Sequence, residues 1–178
     1  MSTGHPHPDR PSAWVERFAA LVPASGSVLD VACGGGRHVR LFAGRGHPVV
    51  AVDRNLSALP PLPGVERLDV DLEDGSPWPL PGRRFAAVVV TNYLWRPLFP
   101  VLIDSLAPGG VLIYETYALG NERYGRPRNP EHLLRPGELL EVVRDRLAVV
   151  AYESGLSPRS AVVQRLCAVN SGEPQTLP

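Results

Sequence analysis

Val28-Leu29-Asp30-Val31-Ala32-Cys33-Gly34-Gly35-Gly36, followed by Arg37-His38-Val39-Arg40-Leu41-Phe42, is the stretch that decides the fold. An apolar run with one acid, two small residues and three glycines leads into a helical pattern. It reads as strand, tight turn and helix. Glycines let the backbone turn sharply and bring main-chain atoms against a ligand with no Cβ between them. The helix that follows aims free N–H groups and the positive end of its dipole at that ligand. A ligand with a negative or polar end is therefore expected above this turn.

Working outward, residues 1–11 are rich in Pro and His and read as a disordered tail; His5 and His7 fit that better than a metal site. Ser12 is placed to cap a helix whose Trp14, Phe18 and Leu21 share one face, ended by Pro23 and Gly26. Beyond the glycine turn, a helix spans about Arg37 to Ala43. Pro48 to Asp53 is a continuously apolar strand ending in an acid, the pattern of a parallel sheet covered on both faces. The crossover from Leu56 to Pro63 carries three prolines and leaves room for a turn or two of helix at most.

A third strand runs from Val65 to Val70 and ends at Asp71-Leu72-Glu73-Asp74. Phe85–Thr91 is the fourth, followed by a helix opened by Pro97 and running to Leu106. Pro108-Gly109-Gly110 is read as a turn into a fifth strand, Val111–Tyr114. From Thr116 to Leu134 no regular pattern survives, and a loop of that length in a compact domain is usually functional or disordered. Pro136 begins a helix to about Val143. Ala148–Tyr152 and Ala161–Val169, separated by turn-forming residues, read as a hairpin. One domain over 12–170 and a polar tail over 171–178 are expected.

Bulk composition narrows the chemistry. The formal net charge is zero, which gives no field for nucleic acid or an anionic membrane. All 18 basic residues are Arg, so no lysine can form a Schiff base or serve a P-loop. The 2 cysteines, Cys33 and Cys167, form neither a disulfide framework nor a metal-ligand spacing, and no metal is expected. No apolar run approaches the ~20 residues of a membrane span, and the start does not read as a signal peptide, so a cytoplasmic protein is expected.

Alternating strands and helices give a doubly wound sheet, with ligand at the carboxyl ends of its strands. A carboxylate at Asp53 suits both hydroxyls of an adenosine ribose. A nicotinamide dinucleotide is a rival, and Arg54 beside Asp53 suits a 2′-phosphate. Its fingerprint wants Gly or Ala where this chain has Val39.

VLDVACGGG (28–36), the acid of VVAVD (49–53), the acid of DVDLEDG (69–75), FAAVVVTNYL (85–94) and LAPGGVLIYET (106–116) resemble, in order, the motifs of class I S-adenosylmethionine-dependent methyltransferases. GGRH (35–38) and NPEHLLRPGELL (129–140) are most similar to the small bacterial enzymes of the tellurite-resistance type. The resemblance implies a Rossmann-like, seven-stranded, mostly parallel sheet of order 3-2-1-4-5-7-6 with an antiparallel terminal hairpin. Ala32 stands where the family most often has Gly, and Ala86 where it frequently has Asp.

The resemblance also implies site residues. Gly34 and Gly36 would give S-adenosylmethionine close backbone approach, with Ala32 in the same turn. Asp30 would support the loop or hold the methionine amine through water. Asp53 would take the ribose hydroxyls, with Arg54 beside it. Asp71 would accept from the adenine amino group, with Leu72 against the ring. Thr91 and Asn92 would lie near the methionine and the methyl group.

The acceptor side is less defined. His38, Tyr93 and Glu115 are candidates to orient an acceptor or serve as base; packing or backbone bonding is the alternative for each. A positive helix end would lower the His38 pKa. Cys33 reads as a small space-filler. Arg96, Arg123, Arg126 and Arg128 could cluster over the cofactor if residues 116–134 form a lid, which would favour a small anionic acceptor such as an oxyanion or carboxylated thiol. The expected protein, monomer or homodimer, methylates a small molecule and binds no nucleic acid. A sensor that binds S-adenosylmethionine without turnover is the alternative. An ordered acceptor pocket beneath residues 116–134 would favour the enzyme.

Overall fold

In the computed structural model, residues 10–173 and 175–178 are described. Most of the expected N-terminal tail, with His5 and His7, lies outside them. Ser12 caps α1 (Ala13–Phe18) by accepting a hydrogen bond from the Trp14 amide. The helix tightens into a 3-10 turn, Ala19–Leu21, before Pro23 stops it. Then follow β1 (Val28–Val31), α2 (Arg37–Gly44), β2 (Val49–Asp53) and β3 (Val65–Asp69). The proline-rich crossover between β2 and β3 forms turns only.

The second half contains β4 (Phe85–Thr91), α3 (Phe99–Asp104) after a 3-10 turn, β5 (Leu106–Tyr117), α4 (Glu138–Val143), β6 (Ala148–Leu156) and β7 (Val162–Val169). The seven strands form one sheet in the order β3-β2-β1-β4-β5-β7-β6. The pairs from β3 through β5 are parallel; β7 is antiparallel to both β5 and β6. This is the sheet that the resemblance implies.

Among the elements, β6 runs on to Leu156, through residues read as turn, and α3 ends at Asp104, but the main departure from the sequence reading is in β5. Leu106 already pairs with Phe85, and the register then shifts so that Val111 faces Ala87. Pro108-Gly109-Gly110 is therefore a bulge inside β5, not a turn before it. Asn170 holds the bulge: its side-chain amide donates to the Leu106 and Ala107 carbonyls, and its backbone bonds Gly109 and Gly110.

Successive strand residues point to opposite faces. Leu29, Val31, Val50, Val52, Val88 and Val90 pack under α3 and α4 with Leu102, Ile103, Leu139 and Val143. Val28, Val49, Ala51, Ala87 and Val89 pack under α1 and α2 with Trp14, Phe18, Val39 and Phe42. Two apolar layers thus clamp the sheet. By this alternation Asp30 points, with Val28, into the layer beneath α1 and α2.

Candidate functional site

The turn after β1 is built from left-handed backbone. Ala32, Gly34 and Gly36 have φ of 53°, 53° and 75°. Gly36 has a packing reason as well, since a Cβ there would lie 2.4 Å from Leu59 Cδ1. Gly34 is the opposite case: a Cβ would meet nothing within 4 Å, and its amide donates to Asp53 Oδ2 at 2.8 Å. Asp53 Oδ1 accepts from the Asn55 amide at 2.9 Å. The carboxylate that ends β2 thus ties the glycine turn to its own strand. Each oxygen keeps a lone pair for a further donor.

Beneath the turn, Asp30 is 1 % exposed, and the Val39 backbone amide is the one donor that reaches its carboxylate among the described residues, at less than full hydrogen-bond geometry. Burial raises its pKa to about 7, against the opposing pull of the Arg37 guanidinium. A buried acid so weakly partnered is costly, and such groups recur where a ligand or water completes the site.

A cavity of about 490 Å³ crosses the carboxyl ends of the strands above this turn. Ala32 from β1, Asp53 and Arg54 from β2, Val70 to Glu73 from β3 and Tyr93 from β4 line it, and His132 reaches it from the long segment after β5. Its size falls within the ~300–1,000 Å³ of small-molecule sites. Asp71 Oδ1 accepts from the Glu73 amide at 2.9 Å, which turns the chain sharply after β3.

A second cavity of about 210 Å³ shares Glu73, Tyr93 and His132 with the first and extends past Asn92, Leu94, Thr116 and Tyr117 to Pro127. Asn92 has φ 55° and donates its amide to the Glu115 carbonyl, closing the turn after β4. Tyr114 donates its hydroxyl to the Tyr93 carbonyl at 3.0 Å, which fixes the backbone that carries Tyr93. The Tyr93 hydroxyl is itself buried, and among the described residues the Glu73 carboxylate is the one hydrogen-bonding group that it faces. Burial and the nearby Glu73 carboxylate raise its pKa, so it is a protonated hydroxyl at neutral pH.

Residues 118–134 are anchored at several points. Ala118 bridges Leu134, Leu133 and Leu134 are fully buried, and the Asn121 side chain accepts from the Val162 amide. Arg96 holds the same segment. Its guanidinium donates to Glu138 at 2.7 and 3.0 Å, to the Glu131 carbonyl at 2.7 Å and to the Leu133 carbonyl at 2.9 Å. Glu138 is 2 % exposed, and the Arg96 and Arg135 bonds lower its pKa against the larger opposing effect of burial. The expected arginine cluster over the site does not form, because Arg96 is committed to this strut and Arg123, Arg126 and Arg128 are exposed.

His38 and Glu115 meet elsewhere than expected. His38 is 1 % exposed; its Nε2 accepts from the Ser12 amide at 3.0 Å, which leaves the proton of the neutral ring on Nδ1, 3.5 Å from Thr91 Oγ1. Burial, then Arg37, lowers its pKa to about 3; the helix end is not the leading cause. Glu115 accepts from Ser12 Oγ at 3.0 Å and lies 2.7 Å from Arg165 Nε, an ion pair without hydrogen-bond alignment. Neither lines either cavity. Thr91 Oγ1 accepts from Arg37 at 3.3 Å. Cys33 is buried, and burial raises its thiol pKa.

Of the residues singled out in the sequence, Asp53, Arg54, Asp71, Leu72 and Ala32, given to the cofactor, line the first cavity, Asn92 lines the second, and Tyr93, given to the acceptor, lines both. The sequence reading missed Val70, Glu73 and His132. Glu73 stands in the quoted DVDLEDG, one turn past Asp71. His132 stands in the quoted NPEHLL, where the Asn129 side chain caps the 3-10 turn Pro130–His132 and two buried leucines follow. That arrangement holds an exposed His against the rest of the site. Among the described residues no group of His, Cys, Asp and Glu could hold a metal ion, and no helix is long and apolar enough to cross a membrane.

The model of a family described as a methyltransferase domain matches residues 5–146. No curated protein matches the chain. Among solved structures, the S-adenosylmethionine-dependent methyltransferase from Mesorhizobium loti is similar at 17 % identity and a TM-score of 0.67, over 88 % of this chain and 98 % of that one. TehB from Haemophilus influenzae is similar at 16 % identity and 0.66, over 88 % and 61 %. The glycopeptide N-methyltransferase MtfA, complexed with S-adenosylmethionine, is similar at 20 % identity and 0.60, over 93 % and 99 %. At these identities the likeness is one of fold.

Proposed function

The chain belongs to the methyltransferase-domain family, and from that premise we propose that it binds S-adenosylmethionine in the first cavity and transfers its methyl group to a small molecule in the second. One observation carries this reading: two cavities are joined by Glu73, Tyr93 and His132 above a glycine turn whose Gly34 opens outward. The residues fit the cofactor. Asp53 has free lone pairs for the ribose hydroxyls, and Asp71 and Leu72 stand farther along the cleft for the adenine. The buried Asp30 carboxylate lies beneath the turn rather than on the cavity wall, where it supports the turn or reaches the methionine amine through water.

The bound cofactor supplies an electrophilic methyl group. The chain supplies position. Tyr93, pinned through its carbonyl, and Asn92, pinned through its amide, hold the junction of the two cavities. Placing a nucleophile ~3–3.5 Å from the reacting carbon contributes about 7–11 kcal/mol to catalysis. The reading places the protein in the cytoplasm as a monomer or homodimer, with no nucleic-acid partner.

Calorimetry with S-adenosylmethionine and S-adenosylhomocysteine tests it. Both are expected to bind, and Asp53→Ala is expected to weaken both by about ten- to a hundredfold, the effect of losing ~1.5–3 kcal/mol of charge-assisted hydrogen bonding. A folded wild-type protein that binds neither overturns the proposal.

A further inference from the structure

We propose that the second cavity is an acceptor subsite for a small primary amine with an aromatic or apolar substituent, its ammonium group drawn in by Glu73 and its proton taken by His132. The inference rests on the reading of the first cavity as the cofactor site.

The charge of the walls carries it. Among the described residues Glu73 is the only carboxylate on the cavity, and no arginine lines it. The chain has no lysine; Arg96 is bound to Glu138 and two carbonyls, Arg126 and Arg128 beside Pro127 are exposed, and Arg54 stands on the first cavity. An oxyanion or carboxylate placed here would face Glu73 with no arginine on the wall of its own cavity, which selects against it. An ammonium group has the opposite fortune. Glu73 attracts it, the Tyr93 hydroxyl oxygen, its proton turned toward Glu73, keeps a lone pair to accept one of its N–H groups, and aromatic rings attract cations through their faces. Leu94, Tyr117 and Pro127 give the rest of the cavity an apolar wall, and about 210 Å³ limits the guest to a small molecule.

The chemistry closes. The ammonium proton passes to the His132 imidazole, which is exposed and returns it to water. The lone pair of the neutral amine then forms a bond to the methyl carbon while the carbon–sulfur bond breaks and its pair stays on sulfur. Positive charge moves from the sulfonium to the N-methylated product, and S-adenosylhomocysteine remains.

Three probes that differ in little but charge test the assignment: 2-phenylethylamine, 2-phenylethanol and phenylacetate, each titrated into protein saturated with S-adenosylhomocysteine. The amine is expected to bind at least tenfold more tightly than either other probe, and to be N-methylated when S-adenosylmethionine replaces S-adenosylhomocysteine. Glu73→Gln is expected to erase the amine's advantage over the alcohol, a ratio that a general loosening of the site would not move. His132→Gln is expected to lower kcat at least tenfold while leaving amine affinity within threefold. Phenylacetate binding as tightly as the amine, none of the three binding, or a ratio that survives Glu73→Gln overturns the proposal. Failure of S-adenosylhomocysteine itself to bind falls instead on the reading of the first cavity.

Discussion

The two halves of the cleft are made differently. On the side of β1, β2 and β3, each wall residue stands at or just past the carboxyl end of its own strand: Ala32, Asp53 and Asp71. Parallel pairing fixes their spacing as soon as the sheet forms. On the side of β4 and β5, Glu73, Tyr93, Thr116 and His132 converge from separate segments, and His132 depends on a strut made by Arg96 and Glu138. The first half is a consequence of the fold; the second is an addition held in place by specific polar bonds. Damage to the first is therefore expected to reach stability and cofactor binding together, and damage to the second to separate them.

The largest effect is expected at Gly36. Left-handed backbone costs a non-glycine residue about 1–2 kcal/mol, and forcing a side chain into a filled space costs about 1–3 kcal/mol more. With Leu59 Cδ1 2.4 Å from the new Cβ, Gly36→Val is expected to lose about 2–5 kcal/mol in urea unfolding and to lose S-adenosylhomocysteine binding with it. Near-wild-type stability would break the claim that this half is inseparable from the fold.

Glu138→Ala comes next. Removing one partner of a fully buried ion pair costs about 3–5 kcal/mol. The Arg96 side chain is 30 % exposed and regains water, so about 2–3 kcal/mol is expected. Because the folded-state pKa of Glu138 is depressed, its contribution is present above the ordinary value of 4.5 and is lost as pH falls through the lower folded value. Wild type is expected to lose stability over that acid range more steeply than the variant. At neutral pH the variant should keep cofactor affinity and lose methyl transfer, as the Pro130–His132 turn comes free of Arg96. Equal loss of both would erase the division between the halves.

The same division governs what could be read before folding. Strand ends are local features, so Asp53 was legible from an apolar run and the acid that stops it, and Asp71, after the more polar third strand, from the motif order that the resemblance supplies. His132 was not, because what makes it a wall residue is the burial of Leu133 and Leu134 and the reach of Arg96 across 35 residues to the neighbouring Glu131 carbonyl. The expected arginine cluster failed for the same reason: Glu138, 42 residues beyond Arg96, captures it. The bulge at Pro108-Gly109-Gly110 also needs Asn170, at the far end of β7, to hold β5 through what reads locally as a turn. His38 and Glu115 were sound as polar residues near strand and helix ends. Only the fold shows that Ser12 joins them in a buried network.

Asp30→Asn gives the smallest and most informative change. In wild type the folded-state pKa of Asp30 is raised from 3.8 to about 7, so between those values the folded protein binds a proton that the unfolded chain does not. Stability therefore declines as pH rises through that window, with the full penalty above pH 7. The rise corresponds to about 4 kcal/mol at ~1.36 kcal/mol per pH unit, an upper bound. Asparagine must still bury an amide in the same place, at a cost of about 1–3 kcal/mol if it stays unpaired. A net gain of about 1–2 kcal/mol is expected at pH 8, seen as a melting temperature higher by several degrees; it falls as pH falls and reverses toward pH 4, where the wild-type acid is neutral and only the amide's cost is left. The same variant should bind S-adenosylmethionine more weakly, on the proposal that the Asp30 carboxylate supports the turn or holds the cofactor's amine through water. A gain in stability with a loss in binding would show that the cofactor half keeps a destabilising group for its ligand. No pH-dependent gain would mean that Asp30 is satisfied within the free protein, and that this half, too, carries nothing beyond what the fold requires.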